Sequence, residues 1–321
     1  MLSPFIYKYQ PIYLKDFEIS DDLRNLLHSL INMDMLNIIL IGNSGSGKSS
    51  LIQAILKEYY GNNNYNNDVL HINSLKEQGI SYYRGDTKTF CQTASSIPGK
   101  KKVLVLDDLD IINEQSQQAF RNYIDKYSQN VHFIASCSKM QKIIDSIQSR
   151  MMIVKIKLLE KENLIRITEK ICRSEDIVLD DNAKDFIIQI SNNSVRILIN
   201  YLEKIKLINK KITLELVQEA CTNIYYIDYA RYIKYCKNKN LREAINIFYS
   251  IYDKGYSVMD ILDSFFLFIK VYPELTDDEK YNIIPLLCKY ITIFNDIHEN
   301  VIELALFTNN LITYFSKDTI K

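Results

Sequence analysis

The sequence predicts an α/β domain built on a parallel sheet, followed by two all-helical domains. Short apolar runs at 38–41, 69–72, 103–106, 131–135 and 152–156 alternate with segments of helical periodicity, the pattern of a sheet with crossover helices. The first run empties into a glycine-rich stretch, and the third ends on acidic residues. Beyond the last run no period-two segment occurs, and apolar spacing is helical to the end. The expected boundaries are 1–157, 158–223 and 224–321.

The glycine-rich stretch is Gly42-Asn43-Ser44-Gly45-Ser46-Gly47-Lys48-Ser49-Ser50, which fits the phosphate-loop pattern G-x-x-x-x-G-K-[ST]. Glycines let successive backbone N–H groups turn inward around an anion, and the following helix aims its positive end there. Lys48 is then placed for the β- and γ-phosphates of ATP and Ser49 for Mg²⁺. A plain Gly/Ser turn is the alternative. It loses ground because Ile38–Ile41 reads as a buried strand and Ser50–Tyr60 as a helix with Leu51, Ile52, Ile55 and Leu56 on one face.

Composition excludes several classes. Of 321 residues, 47% are hydrophobic and 24% charged, the balance of a globular protein that can bury more than one core. Net charge is zero, so no overall basic field advertises nucleic acid, although a local positive stripe would suffice. The six cysteines form no C-x-x-C, which points to reduced thiols in an intracellular protein rather than to zinc. The start shows no apolar signal region and no run of 18 apolar residues occurs, so neither secretion nor a membrane is expected.

Along the chain, Tyr7-Lys8-Tyr9-Gln10-Pro11 reads as a stiff extended piece because Pro11 restricts Gln10. A helix is expected over Asp22–Met33, capped by Ser20 or Asp21, and another over Lys76–Gln92, weakened by Gly79 and Gly85. The strand Val103–Leu106 runs into Asp107-Asp108-Leu109-Asp110. Beside a phosphate loop, such a strand end supplies one carboxylate for Mg²⁺ and another near the attacking water. The helix Glu114–Tyr127 is expected to turn Ala119, Tyr123 and Ile124 inward. From 160 to 222 the helices break near Ser174, Asp180 and Asn192, and the tail carries aromatics such as Phe265, Phe266 and Phe268, read as packing or a subunit interface.

With these features in place, the chain resembles the AAA+ clamp-loader ATPases, specifically the small subunits of replication factor C. Lys8, Tyr9 and Pro11 match the family's Glu-Lys-Tyr-Arg-Pro, and Ile72-Asn73-Ser74, Gly79-Ile80 and Arg84 echo its Leu-Asn-Ala-Ser-Asp-x-Arg-Gly-Ile-x-x-x-Arg. Gln117-Gln118-Ala119 matches Gln-Gln-Ala, and Ile143-Ile144 with Ile147-Gln148-Ser149-Arg150 resembles Ile-Ile-Glu-Pro-Leu-Gln-Ser-Arg-Cys. Asn193-Ser194-Val195-Arg196 stands at the family's Gly-Asp-x-Arg. Gly255-Tyr256-Ser257-Val258-Met259-Asp260-Ile261 is close to its collar segment Gly-Tyr-Ser-x-x-Asp-Ile.

The resemblance implies a P-loop AAA+ domain, a helical lid and a helical collar. It implies that Tyr9 and Pro11 lie near the adenine, that residues 42–50 hold the phosphates, and that Ser49 and Asp107 hold Mg²⁺. Asp108 would polarise the attacking water, Ser138 would stand at the first polar sensor of the γ-phosphate or water, Arg196 would touch the chain's own nucleotide from the lid, and Arg150 would serve the neighbouring subunit's site in trans. Arg84 and Lys88 would contact the backbone of primer–template DNA without reading sequence. The implied partners are the other subunits of a pentameric ring and a sliding clamp, in the nucleus or another site of DNA replication.

Two departures bear on hydrolysis. Asp108 stands where the family has Glu, and Ser138 where it has Asn. Losing one methylene withdraws the carboxylate by roughly 1 Å, and such a misplacement costs on the order of a hundredfold. ATP binding with slow hydrolysis is therefore expected. Gln10, Ser194 and the residue after Arg150 also depart from the pattern. The competing readings are a structural subunit that binds nucleotide with little hydrolysis, and another AAA+ machine such as a helicase loader or branch-migration motor. A small-molecule kinase fits least.

Overall fold

The computed structural model describes residues 3–61, 63–73, 80–208, 212–221, 226–294 and 298–317. Two compact units emerge, Met1–Ser174 with Asn193–Glu203, and Glu175–Asn192 with Lys204–Lys321.

The first unit is organised by β1 (Ile38–Ile41), β2 (Val69–Asn73), β3 (Lys102–Asp107), β4 (Val131–Cys137) and β5 (Met152–Lys155). All pair in parallel, in the order β2-β3-β4-β1-β5. Ile38, Ile39 and Leu40 are fully buried, as are Val103, Leu104 and Leu106, because helices cover both sheet faces. Leu51, Ile52, Ile55, Leu56 and Tyr59 cover one face, against Leu40, Val105 and Ile134. Phe120 and Ile124 lie in the cluster on the other, with Ile39, Leu104 and Phe133. The chain reverses its direction of winding beside β1, the place where open parallel sheets bind ligands at the strands' carboxyl ends.

The expected inward face of the helix Glu114–Tyr127 needs correction. Ile124 is buried, but Ala119 and Tyr123 are only half-buried; Ser116, Gln117, Phe120 and Tyr127 complete the inner stripe. Gln117 turns inward because its amide has four backbone partners there. It donates to Ile112 O (2.9 Å), Lys142 O (3.0 Å) and Leu109 O (3.4 Å), and its oxygen accepts from Ile144 N–H (3.0 Å).

The N-terminal arm is tied to the sheet's helices by Leu14, fully buried, whose N–H donates to Glu58 Oε1 at 2.7 Å. Ser20 caps the helix Asp21–Asn32, settling the choice between Ser20 and Asp21. At the amino ends of the strands, Asp34 accepts from Tyr59 OH (2.7 Å), buried His132 Nε2 (2.9 Å) and Lys101 Nζ (3.0 Å). Burial acts to raise this carboxyl, but the three hydrogen bonds outweigh it and hold it down to about 2. Burial also lowers His132, with Asp34 opposing.

Both groups bind a proton more readily in the unfolded chain, so stability falls on acidification. His132 contributes below its ordinary value of 6.5, and Asp34 contributes as pH falls from 3.8 toward about 2. The Asp34 contribution is on the order of 1 kcal/mol after solvent screening. Thermal unfolding followed across this range should show Tm dropping in two stages, with the lower stage absent in Asp34→Asn. A single stage in the wild type would contradict the assignment.

The second unit includes the helices Asp181–Ile190, Leu214–Cys221, Tyr226–Lys237, Leu241–Tyr252, Val258–Val271, Asp277–Ile293 and Ile302–Lys317. Its core is aromatic. Tyr232 stacks on Phe248 at 3.9 Å, Phe265 lies edge-on to both, and Phe307 closes the cluster. The phenols are satisfied, Tyr232 by Thr308 Oγ1 (3.0 Å) and Tyr229 by Ile261 O (2.9 Å). Phe265 and Phe268 are thus packing residues, whereas Phe266 is half-buried beneath Lys270 Nζ.

The Gly255–Ile261 segment forms one corner of this unit. Gly255 (φ 96°) lies in the turn that follows Leu241–Tyr252, in a conformation that disfavours side chains. Ser257 and Asp260 then form a reciprocal capping box at the start of Val258–Val271, and Ile261 is fully buried.

Candidate functional site

The loop after β1 is fixed to the sheet at its first residue, where Gly42 N–H donates to Cys137 O at 3.2 Å. Asn43 and Ser44 form its exposed crest, and Asn43 O accepts from Ser46 N–H at 3.2 Å. Gly47 (φ 88°) caps the helix Lys48–Tyr60, which starts two residues before the expected Ser50 because Lys48 and Ser49 are already helical. Gly45 has φ 76°, and a Cβ there would meet Ser194 Oγ at 2.5 Å. The left-handed backbone therefore disfavours a side chain here, and one would also force the Ser194 hydroxyl to turn away.

Ser194 precedes the helix Val195–Ile208, of which the exposed Arg196 is the second residue. Asn193 is left-handed (φ 60°) at the position where the resembled family has glycine; asparagine is among the few side chains that adopt this region readily. Arg196 Cβ lies 4.0 Å from the point a Gly45 Cβ would occupy, which brings Arg196 beside the loop.

Lys48 is buried and arches over the loop. Its Nζ donates to Gly42 O (2.8 Å), Asn43 O (3.1 Å) and Ser138 Oγ (3.3 Å). Ser49 donates to Asp107 Oδ2 (3.0 Å) and Oδ1 (3.3 Å), joining residues 58 positions apart. A hydroxyl beside a carboxylate is a hard oxygen pair of the kind Mg²⁺ takes, with phosphates supplying further ligands.

Asp108 turns out of β3 in the left-handed region (φ 52°). Burial raises its carboxyl, as do the charges of Asp107 and Asp110, while Lys48 and Arg196 pull it down. Lys48, which opens the loop's own helix, is therefore joined at the loop by Asp107 and Asp108 from the end of β3, Ser138 from the exit of β4 and Arg196 from the helix Val195–Ile208. Tyr9 and Pro11 lie half-buried on the N-terminal arm, where Tyr9 packs edge-on against Phe5 at 5.5 Å. That arm reaches the loop further along, at Phe17, 3.9 Å from the Cβ position of Gly47.

Arg150 is not brought to this site. It precedes β5, whose first residue Met152 pairs with Ile38, whereas the loop leaves β1 beyond Ile41, which pairs with Lys155. Roughly 10 Å of strand separates the two ends. Arg150 instead donates from Nε to Asp125 Oδ1 (2.5 Å) and from Nη1 to Ser146 O (2.7 Å). Lys88 is exposed on the helix Ile80–Gln92; the side chain of Arg84 on the same helix, and residues 74–79, lie outside the described residues.

Three contributors were given no individual role by the sequence reading. Ser136, fully buried in β4, donates to Asp107 Oδ1 (2.5 Å) and accepts from Asp108 N–H (3.0 Å). Asp110 Oδ2 accepts from Lys139 N–H (3.0 Å), tying the exit of β4 to that of β3. Asp125 holds Arg150. Of these, Asp110 stood in the acidic strand end and Ser136 showed as a hydroxyl in a mostly apolar strand, while nothing marked Asp125.

Comparison with known proteins agrees with this layout. The model of the ATPase family associated with various cellular activities (AAA) matches residues 38–158, and that of the replication factor C C-terminal domain matches 228–303. A protein of Acanthamoeba polyphaga mimivirus named as a replication factor C small subunit is 31% identical, covering 84% of each chain. The replication factor C small subunit of Methanococcus maripaludis is 29% identical over 88% of this chain and 89% of its own. Human replication factor C subunit 5 is 27% identical over 83% and 79%. Among solved structures, the Thermotoga maritima RuvB Holliday junction branch migration motor superposes with a TM-score of 0.53 at 13% identity, covering 71% of this chain and 79% of its own; that likeness concerns the fold alone. The chain belongs to the replication factor C small-subunit family of AAA ATPases.

Proposed function

We propose that this chain is an ATP-binding subunit of a sliding-clamp loader, which opens a ring-shaped clamp and places it on primer–template DNA. The observation that carries the reading is the convergence of Lys48, Ser49, Asp107, Asp108 and Arg196 on one loop, in a chain whose tail matches the replication factor C C-terminal domain. On this reading residues 1–157 bind nucleotide, 158–223 form the lid and 224–321 the collar of a pentameric ring.

The residues present fit ATP and Mg²⁺. The loop is left-handed at Gly45, where the lack of a side chain keeps its backbone close to Ser194, Lys48 supplies a buried positive charge, and Ser49 with Asp107 supplies two adjacent oxygen donors. Bound there, Mg²⁺ would neutralise charge developing on the phosphates. Arg196 senses the chain's own phosphates, Arg150 serves the neighbour's site, and Arg84 with Lys88 tracks DNA phosphates, which suits loading at any sequence. Tyr9 and Pro11 line the adenine. No helix among the described residues is long and apolar enough to cross a membrane, and action in the nucleus or another site of DNA replication follows from the function proposed.

A second reading, a nucleotide-holding subunit with little hydrolysis of its own, is favoured by two features. Asp108 is one methylene shorter than glutamate and carries a carboxyl raised by burial, and the Ser138 hydroxyl already accepts from Lys48. Asp108→Glu should therefore raise turnover by about 10- to 100-fold in an assembly where only this subunit's site is intact. Wild-type turnover equal to that of the other sites would refute slow hydrolysis. The clamp-loader reading itself is tested by purification with native partners. A five-membered assembly that captures a sliding clamp with ATP is expected, and a lone chain that captures none would overturn it.

A further inference from the structure

We propose that Ser136 is a positioning residue for the metal–nucleotide site, a role that rests on the reading of Ser49 and Asp107 as Mg²⁺ ligands. The β3–β4 ladder runs in register as far as Leu106↔Ala135. At the next position the side chain of Ser136 takes over the cross-strand link. Its hydroxyl donates to the Asp107 carboxylate, and the same oxygen accepts the N–H of Asp108. One buried atom thus fixes two things: the rotamer of the carboxylate that would meet the cation, and the left-handed turn that aims Asp108.

Asp107 also accepts from Ser49, but the two hydroxyls are not equivalent. Ser49 is exposed and stands at the loop, so its oxygen is free to turn to a cation. Ser136 is sealed inside the sheet, with no route to a cation, and serves Asp107 alone on its side chain's donor face. Its backbone is meanwhile paired with Leu40 of β1, the strand that feeds the loop. The residue therefore registers the carboxylate against the loop as well as against its own strand. Alanine at this position leaves the Asp108 N–H without its acceptor and lets the Asp107 carboxylate swing. Hydrogen-bond partners of metal ligands act this way, and their loss weakens metal binding by about 10- to 100-fold.

The test is titration of a fluorescent ATP analogue into the full-length chain with Mg²⁺ and with EDTA, for the wild type and for Ser136→Ala, Ser136→Thr, Asp107→Ala and Asp107→Ala/Ser136→Ala. Ser136→Ala should keep its affinity in EDTA but require about 10- to 100-fold more Mg²⁺ to reach the tighter state. Ser136→Thr, which keeps the hydroxyl, should restore most of the response. In the Asp107→Ala background the second substitution should change nothing further. Equal weakening with and without Mg²⁺, an unchanged Mg²⁺ requirement in Ser136→Ala, or additive losses in the double variant would each overturn the proposal. If Asp107→Ala itself leaves the Mg²⁺ response intact, the metal reading fails, an outcome distinct from failure of Ser136 alone.

Discussion

Lys48→Ala lowers the affinity of the isolated chain for ATP by about 30- to 5,000-fold, the equivalent of roughly 2–5 kcal/mol for deleting one partner of a buried charge pair. Lys48 is only 8% exposed, and its ammonium is held by Gly42 O, Asn43 O and Ser138 Oγ, so it is aimed before any anion arrives. Its two carbonyl partners lie in the loop itself and can turn to water when the side chain is cut back, which leaves the sheet intact. Circular dichroism should therefore be unchanged while nucleotide titration collapses. Lys48→Arg should not rescue, because a planar fork cannot converge on two carbonyls and a hydroxyl as a compact ammonium does. Wild-type affinity in the alanine variant would remove the loop from the proposed mechanism.

Arg150→Ala lowers hydrolysis at the neighbouring subunit's site by roughly 10³- to 10⁵-fold, the range for loss of an arginine finger, and leaves this chain's own ATP affinity untouched. The split follows from the register of β1 and β5, which puts Arg150 and the loop at opposite ends of paired strands. The Asp125 link is a partly exposed ion pair and adds little to stability, so the variant folds. Its effect is to hold the guanidinium by Nε while Nη2 makes no hydrogen bond among the described residues. Single-site-intact assemblies separate the two readouts. Loss of own-site affinity, or unchanged turnover next door, would refute the assignment.

What the sequence made legible was local. Lys48, Ser49 and Asp107 could be named because a loop and a strand end each announce themselves within a few residues. The parallel sheet could be expected for the same reason, from runs of Ile, Val and Leu long enough for a strand and too short for a helix. The order of strands could not, since nothing in a run such as Val131–Ala135 says that it lies between β3 and β1. Ser136 was hidden because its importance depends on that neighbour relation. Gln117 was visible as a motif letter, but its four partners come from segments before and after its own helix. Ala119 and Tyr123 were placed inward by periodicity, and the polar Gln117 displaced them because its backbone partners lie inside.

The corner at Gly255 has a further consequence. The residues that most plainly betray the ancestry of this tail are a left-handed glycine, a serine and an aspartate that together cap one helix start, and one buried isoleucine. Each identity answers to the bend or to the packing just after it, so kinship here is written in punctuation. A lineage that found another way to turn this corner would become hard to recognise long before it stopped doing the same work.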